Sequence, residues 1–454
     1  MEFVSINPAN GERIATYEEM PVDAVSDVLR KMHGAFLEGR EKPIGDRSDA
    51  FHRLSVILKE RKNGLALLMA QEMGKPLDQG RAEIDKCAWL SEYYADFAET
   101  FLQTEPMEAG GSKSYIMYQP LGVILAVMPW NFPFWQVFRS GVSAIMAGNT
   151  ILLKHAPSVC GCAMAIEDLF NAADFPVPVL RSLIVDVERV PGIIDDPRVA
   201  AVTLTGSPKA GSAVAARAGA SLKKCILELG GSDSYLVLED ADVKAAAEIC
   251  VSSRLINSGQ SCIAAKRFIV VDPVREKFES LFVEKMRSRN MGDPVGDDID
   301  LGPIARRDLR DALHDQVVRS VDQGARLLLG GEIPEGKGFF YPPTVLTDVR
   351  KGQPVFDEET FGPVGAIIPA ADEDEAVRLA NDSPYGLGAA VFTKNALHGE
   401  EVASRLDVGN VYVNDFVKSD PRLPFGGIKK SGHGRELSVT GIRELVNVKS
   451  VWVK

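Results

Sequence analysis

The chain has 454 residues, of which 45% are hydrophobic and 25% are charged, and its formal net charge at pH 7 is −12. This composition is typical of a globular protein with two or three domains and excludes a disordered chain. The negative net charge and the absence of any block rich in lysine and arginine argue against a nucleic-acid partner.

Targeting and metal-binding signals are missing from the sequence. The N-terminal residues have no basic segment followed by an apolar core, and no uncharged apolar run reaches the roughly 18–20 residues that span a bilayer. The six cysteines are few and scattered, which favours a reducing compartment. Cys160 and Cys162 form a lone C-x-C pair without a histidine at ligand spacing, so no metal site is expected. We therefore expect a cytoplasmic protein with no membrane partner.

The first predicted elements are helices. Within residues 47–103, the segment RLSVILKERKNGLALLMAQEMGKP has apolar residues at three- and four-residue spacing. It ends at Gly74 and Pro76, two residue types that terminate helices. A second helix, AEIDKCAWLSEYYADFAETFL, follows.

The hydrophobic pattern then alternates between strands and helices. We predict strands at 123–128, 150–154, 182–186, 200–206 and 225–229, and helices at 135–148, 160–171 and 208–219. This order implies parallel strands with right-handed crossovers, and so a doubly wound α/β domain. A second alternating set predicts another α/β domain, with strands at 235–238, 264–271, 388–393 and 409–414 and a long helix near 274–289.

Two β-prone segments fit neither set, namely SYIMYQP at 114–120 and VNVKSVWVK at 446–454. Exposed strands are usually paired or covered. These segments are therefore either two edge strands of the domains or an arm that pairs with another subunit.

Two glycine-containing turns partly match known phosphate-binding patterns. The stretch GEIPEGKG at 331–338 has the spacing of a phosphate loop, but Gly338 replaces the metal-binding hydroxyl residue and two glutamates would repel phosphate. We interpret it as a surface turn. No G-x-G-x-x-G follows a predicted strand. In TLTGSPKAG, Gly206 and Ser207 open a helix whose free amides favour an anion.

Three polar residues follow predicted elements at positions where ligands bind in parallel sheets. Cys262 lies in NSGQSC, on a loop beyond a helix, where a thiol can be exposed and reactive. Asn131 follows one strand in MPWNFP, and Glu228 ends another in LELGGSD. If they converge at the carboxyl edge of the sheet, they could act as nucleophile, oxyanion donor and base. An inert buried cysteine is the alternative.

Seven motifs occur in the order and spacing of the aldehyde dehydrogenase superfamily. They are MPWNFP, LLKHAP, TGSPKAG, LELGGSD, NSGQSC, EETFGPV and PFGGIKKSGHGRE, and they cover residues 120 to 436. The chain is most similar to the short bacterial succinate-semialdehyde dehydrogenases. The resemblance implies an NAD(P)-binding domain with a variant Rossmann fold (1–103 and 121–229), a second α/β catalytic domain (230–432) and a small β oligomerisation arm (104–120 and 433–454).

The resemblance also implies roles for individual residues. Cys262 would be the nucleophile, Glu228 the base that activates water, and Asn131 the oxyanion amide. The cofactor NAD or NADP would contact Trp130, Lys154, Pro157, Ser158, Gly206, Ser207, Gly211, Glu359 and Phe361. The substrate would contact Phe132, Trp135, Arg139, Ser261, Ser419 and Phe425.

Departures from related enzymes bear on cofactor and substrate. Pro157 stands where a glutamate favours NAD in the family, so NADP should be accepted, although Glu188 could lie near the adenosine end. Ile256 stands where semialdehyde enzymes can carry an arginine. Arg139 is then the candidate residue for binding a substrate carboxylate. The alternative role of Arg139 is a structural salt bridge.

The expected reaction is oxidation of an aldehyde to a carboxylic acid through a cysteine thiohemiacetal and thioester, with succinate semialdehyde as the favoured substrate. The alternatives are another small aldehyde, a CoA-acylating reaction, or a non-catalytic relative. A homodimer or homotetramer is expected from the family's oligomerisation arm.

Overall fold

The computed structural model describes residues 1–454. Its α-helices are Val22–Gly39 (α1), Ile44–Met73 (α2), Leu77–Leu102 (α3), Trp135–Met146 (α4), Cys160–Ala172 (α5), Val190–Asp195 (α6), Pro208–Ala220 (α7), Val243–Leu255 (α8), Asp272–Arg287 (α9), Arg307–Asp322 (α10), Pro354–Asp357 (α11), Glu373–Asn381 (α12), Ala396–Ala403 (α13) and Ser438–Glu444 (α14).

The first ten strands are Glu2–Ile6 (β1), Arg13–Glu18 (β2), Glu105–Pro106 (β3), Lys113–Pro120 (β4), Val123–Met128 (β5), Thr150–His155 (β6), Leu180–Ser182 (β7), Val199–Thr205 (β8), Lys224–Glu228 (β9) and Ser234–Val237 (β10). The other ten are Arg267–Val271 (β11), Arg326–Leu329 (β12), Thr344–Thr347 (β13), Val364–Ala370 (β14), Tyr385–Gly386 (β15), Gly388–Phe392 (β16), Asn410–Val413 (β17), Ile428–Lys429 (β18), Gly432–His433 (β19) and Val446–Val453 (β20).

The long helices α2 and α3 form the predicted helical hairpin. Gly74 ends α2 with φ of 80°, a left-handed conformation that glycine adopts without steric cost. Pro76 immediately precedes α3. A side chain at Gly74 would also collide with Pro303, since an added Cβ would lie 2.8 Å from the proline ring.

The first sheet has six strands in the order β19-β9-β8-β5-β6-β7, and all neighbours are parallel except β19 and β9. Alternate residues of one strand enter different hydrophobic cores. Ile124 and Ala126 of β5 pack with α2, α3, α4 and α5, whereas Val123 and Leu125 pack with α1 and α6. Helices therefore cover both faces, as expected for a doubly wound domain.

The second sheet has seven strands in the order β12-β13-β14-β11-β10-β16-β17, and only β12 pairs antiparallel. It is also buried on both faces, because Leu236 and Ile269 belong to one core while Tyr235 and Phe268 belong to another. The two sheets form the mixed α/β architecture that the sequence predicts.

Some predicted boundaries differ from the structure. The strand expected at 182–186 is β7, which ends at Ser182, so most of that prediction is wrong. Strands β12, β13 and β14 and helices α10 and α12 were not predicted from the sequence. Residues 433–444, assigned to the arm, instead lie against the first domain, since β19 pairs with β9 and α14 packs on α3 and α4.

Strands β4 and β20 pair antiparallel over eight residues, and β3 adds a third short strand. Val448 and Trp452 of β20 are each 56% exposed. No helix in the structure has the length and apolar character required to cross a lipid bilayer.

Candidate active site

The loop that carries Cys262 begins with a sharp turn after α8. Asn257, Ser258 and Gly259 all have positive φ, of 53°, 56° and 78°. At Gly259 a Cβ would lie 2.2 Å from the carbonyl oxygen of Gly362, so a glycine is required there. This turn directs the thiol of Cys262 into a cavity of about 250 Å³ at the ends of β5, β8 and β9.

Asn131 lies beside this loop because it follows β5. Its side-chain Nδ2 donates to the backbone carbonyl of Gln260 (3.1 Å). The backbone carbonyl of Asn131 accepts from Nδ2 of Asn257 (2.7 Å). Asn131 lines the same cavity as Cys262. One amide N–H of Asn131 remains to bind an oxygen atom in the cavity.

Glu228 ends β9 and is 2% exposed. Neither carboxylate oxygen has a hydrogen-bond partner. Burial raises the pKa of Glu228 well above its usual value, and the charge of Glu436 adds to this effect, while Arg139 opposes it. Once ionised, a carboxylate with a raised pKa is a stronger base than an ordinary one.

The thiol of Cys262 is also affected by burial, which raises its pKa to about 12. The cations of Arg139 and Lys266 act in the opposite direction. Nζ of Lys266 donates to the carbonyls of Ser261, Cys262 and Ala264 at 2.8–3.0 Å. This lysine, which has no recognisable motif in the sequence, fixes the backbone around Cys262.

Glu359 approaches the same loop from the segment before β14. Its Oε1 accepts from the backbone N–H of Gly231 (3.0 Å) and lies 3.8 Å from Nζ of Lys266. A Cβ at Gly230 would lie 2.4 Å from Oε2 of Glu359, and one at Gly231 would lie 2.7 Å from the carbonyl of Cys262. The two glycines of LELGG therefore allow this close packing.

The predicted cofactor residues fall into two groups. Trp130, Gly206, Ser207, Glu359 and Phe361 line the cavity that contains Cys262. Ser207 caps α7, because its Oγ accepts from the Ala210 N–H (3.3 Å). The remaining residues, Lys154, Pro157, Ser158 and Gly211, do not line this cavity.

Lys154 is the penultimate residue of β6, the strand next to β5, and Pro157 and Ser158 follow this strand. Lys154 is 5% exposed and donates to the carbonyl of His155 (3.0 Å). Oγ of Ser158 is buried without a partner. Gly211 serves packing, since a Cβ there would lie 2.5 Å from the side chain of Leu229.

A second cavity, of about 380 Å³, is lined by residues of the same segment, 130–136, that lines the cavity of Cys262. We call it the aromatic cavity, because Phe132 and Trp135 line it together with Ile256 and Lys86. Lys86 was not identified from the sequence. Its spacing from Glu83 and Leu90 places Lys86 on the buried face of α3. A lysine on a buried helix face is the signal that could have identified it, because burial of a charge is costly.

The role expected for Arg139 is not supported by its contacts. The guanidinium is 2% exposed, donates through Nε to Glu436, and lies 4.7 Å from the centre of the Phe425 ring. Nη2 is 3.8 Å from Glu228. Since its charge is already shared by two buried carboxylates, these contacts favour the alternative role of Arg139, a structural salt bridge.

Two other predicted substrate residues, Ser261 and Ser419, contact lysine side chains. Ser261 is buried and its carbonyl accepts from Lys266, so it supports the loop that carries Cys262. Ser419 is 6% exposed, and its Oγ accepts from Nζ of Lys86 (2.7 Å). No group of three or more His, Cys, Asp or Glu side chains is arranged to hold a metal ion.

Comparisons with known proteins agree with this geometry. A family model described as "Aldehyde dehydrogenase family" matches residues 1–451. A succinate semialdehyde dehydrogenase (NAD(P)+) of Escherichia coli is 46% identical over 449 residues, which are 99% of this chain and 97% of that protein. A probable succinate-semialdehyde dehydrogenase (NADP+) of Synechocystis is 43% identical, with both chains fully covered.

A solved structure is also similar to this chain in fold and sequence. The succinic semialdehyde dehydrogenase of Streptococcus pyogenes, in complex with NADP+ as the cofactor, superposes with a TM-score of 0.97 at 36% identity. The superposition covers 99% of each chain.

Proposed function

Because the chain belongs to the aldehyde dehydrogenase family, we propose that it oxidises succinate semialdehyde to succinate with NAD(P)+ as the cofactor. The observation that carries this proposal is the meeting of Cys262, Asn131 and the cofactor-side residues around one cavity, with Glu228 at the end of a neighbouring strand. The similarity to succinate-semialdehyde dehydrogenases supports the choice of substrate.

In the first step, the thiolate of Cys262 attacks the aldehyde carbon, a C–S bond forms, and the carbonyl electron pair moves to oxygen. The free N–H of Asn131 and the backbone N–H of Cys262, which has no backbone acceptor, are available to this oxyanion. Each such donor typically stabilises the transition state by about 3–4 kcal/mol.

NAD(P)+, when bound, supplies the hydride acceptor. As the oxyanion re-forms the carbonyl, the C–H bond of the former aldehyde carbon breaks with its electron pair, and the acyl group is held on Cys262 as a thioester. Glu228 accepts a proton from the attacking water, the C–S bond breaks, and the carboxylic acid and the thiolate of Cys262 are formed. The raised pKa of Glu228 supports this role.

The residues present fit the cofactor. Gly206 and Ser207 open the thirteen-residue helix α7, whose N-terminus attracts a pyrophosphate. The unpartnered Oγ of Ser158 is available to the adenosine end. Pro157 is exposed and uncharged, so no carboxylate at that position repels a 2′-phosphate, and we propose that NADP+ is used as well as NAD+.

We further propose that the β4–β20 arm joins subunits into a homodimer or homotetramer, which its exposed Val448 and Trp452 support. A cytoplasmic location is supported by the six cysteines, which are all free thiols.

The test is a panel of aldehydes assayed with NAD+ and NADP+ by the absorbance of the reduced cofactor. We expect kcat/KM for succinate semialdehyde to exceed that for butanal by at least about tenfold, because only the former has a terminal carboxylate to be recognised. Absence of reduced cofactor with every aldehyde would refute the reaction, and a preference for uncharged aldehydes would refute the substrate.

A further inference from the structure

The contacts of Arg139 raise the question of what binds the far end of a carboxylate substrate. Burial of an unpaired carboxylate is costly, so a substrate such as succinate semialdehyde requires a cation or several donors at the end opposite the aldehyde. Arg139 already shares its charge with Glu228 and Glu436. The position six residues before Cys262 is the apolar Ile256.

Lys86 is placed to meet this requirement. It extends from α3 into the aromatic cavity, where Nζ lies 4.3 Å from the centre of the Trp135 ring and 2.7 Å from Oγ of Ser419. The aromatic ring and the serine together fix the direction of the ammonium group. Two of its three N–H donors remain for a ligand.

The other charged groups around this cavity are already paired. Arg289 donates to Glu248 (2.9 Å) and lies 3.7 Å from Asp300. Glu83 pairs with Lys75 and accepts from the backbone N–H groups of Phe134 and Trp135. By contrast, Lys86 has no carboxylate within 4.0 Å of its ammonium group.

An ammonium group without a counter-ion is disfavoured by burial. Desolvation and, to a smaller extent, the positive charge of Arg139 lower the pKa of Lys86 to about 8, although Glu83 and Asp420 act in the opposite direction. A bound carboxylate would supply the missing counter-charge. The apolar walls of Phe132, Trp135 and Ile256 would enclose the short carbon chain between this carboxylate and the aldehyde.

We propose that Lys86, oriented by Ser419, binds the distal carboxylate of the substrate and is the residue that selects a carboxylated aldehyde over an uncharged one. This assignment rests on the proposed function, and it gives Ser419 a substrate role through the lysine. It also explains how the chain can do without an arginine at position 256.

The test compares Lys86→Met, Lys86→Arg and Ser419→Ala with the wild-type enzyme, using succinate semialdehyde and butanal as substrates. Methionine keeps the length and helix propensity of the side chain and removes the charge. We expect Lys86→Met to lower kcat/KM for succinate semialdehyde about 10- to 100-fold, mainly through KM, with little change for butanal. Lys86→Arg should restore part of the loss, and Ser419→Ala should show a smaller loss of the same kind.

The matched control is Lys59→Met, which removes an exposed lysine of α2 paired with Glu92 of α3 and should leave kcat/KM for both substrates unchanged. Thermal unfolding of each variant detects any loss of fold. Equal losses on both substrates, or a Lys86→Met enzyme that still prefers succinate semialdehyde, would overturn the role of Lys86 alone. A wild-type enzyme without this preference would overturn the proposed substrate and the assignment together.

Discussion

Nη2 of Arg139 lies 3.8 Å from Oε2 of Glu228 in the interior, where the two side chains are 2% and 3% exposed. The same guanidinium donates to Glu436 through Nε. One arginine therefore joins the candidate base to a second buried carboxylate. Because a charge buried without a partner is strongly destabilising, this cluster should be sensitive to any change that removes the cation.

Arg139→Met should destabilise the protein by about 3–5 kcal/mol, because it leaves two buried carboxyl groups without their cation. The pKa of Glu228 should rise further for the same reason. We expect a lower midpoint of thermal unfolding and similar losses of kcat/KM for succinate semialdehyde and butanal. Arg139→Lys, which retains a charge, is the control. A loss confined to succinate semialdehyde would restore Arg139 as the carboxylate-binding residue.

Cys262 and Glu228 should act at different steps. Cys262→Ala removes the nucleophile and should abolish all formation of reduced cofactor. Glu228→Gln should leave a burst of reduced cofactor near one equivalent per site and block turnover, because only hydrolysis of the thioester requires the base. Rapid-mixing absorbance measurements distinguish the two. If neither variant gives a burst, the division of roles is wrong.

Pro157→Glu should shift the enzyme towards NAD+. The new carboxylate would repel a 2′-phosphate and could bind the ribose hydroxyls, so kcat/KM with NADP+ should fall at least about 100-fold while that with NAD+ is retained. Pro157→Gln, which has the same shape without the charge, is the control. Equal effects of the two substitutions would mean that this position does not sense the 2′-phosphate.

The preference for succinate semialdehyde should depend on pH through Lys86. Its lowered pKa of about 8 means that the free enzyme loses the ammonium charge as the pH rises through this value. The groups that face it are Arg139 of α4, Asp420 of the loop before β18, and Glu83 and Cys87 of α3. Arg289 and Asp300 line the same cavity but pair with each other.

The measured quantity is the ratio of kcat/KM for succinate semialdehyde to that for butanal, since titration of Cys262 and Glu228 affects both substrates. The ratio should be constant well below pH 8 and should fall above it. In Lys86→Arg the ratio should stay flat, because arginine remains protonated throughout. A ratio independent of pH in the wild-type enzyme would argue against an ammonium group at the carboxylate.

Removal of residues 447–454 should change the oligomeric state. This truncation deletes most of β20, which pairs with all eight residues of β4, and leaves only the short β3 beside that strand. We expect a smaller species in light scattering coupled to gel filtration, with any remaining stability loss seen in thermal unfolding. Trp452→Ser, which keeps the strand and removes one exposed aromatic side chain, is the milder variant. An unchanged mass for the truncated protein would exclude the arm from the interface.

Features that depend on local pattern were predictable from the sequence. The continuous apolar runs at β5, β6 and β8 match strands buried on both faces, and Gly74 with Pro76 ends α2 and begins α3. By contrast, β13 and β14 were missed, because short apolar runs between turns do not distinguish strand from helix or loop.

The sequence alone determined which chemical groups are available, because the nucleophile, the amide, the base and the helix-opening Gly206 and Ser207 are recognisable from their motifs. Only the tertiary structure decided how two cations are used. Arg139 meets Glu436 across 297 residues of chain, and Lys86 meets Ser419 across 333. Neither contact leaves a periodic or spacing signal, since a side chain's counter-charge depends on which distant elements pack beside it and how much water they exclude.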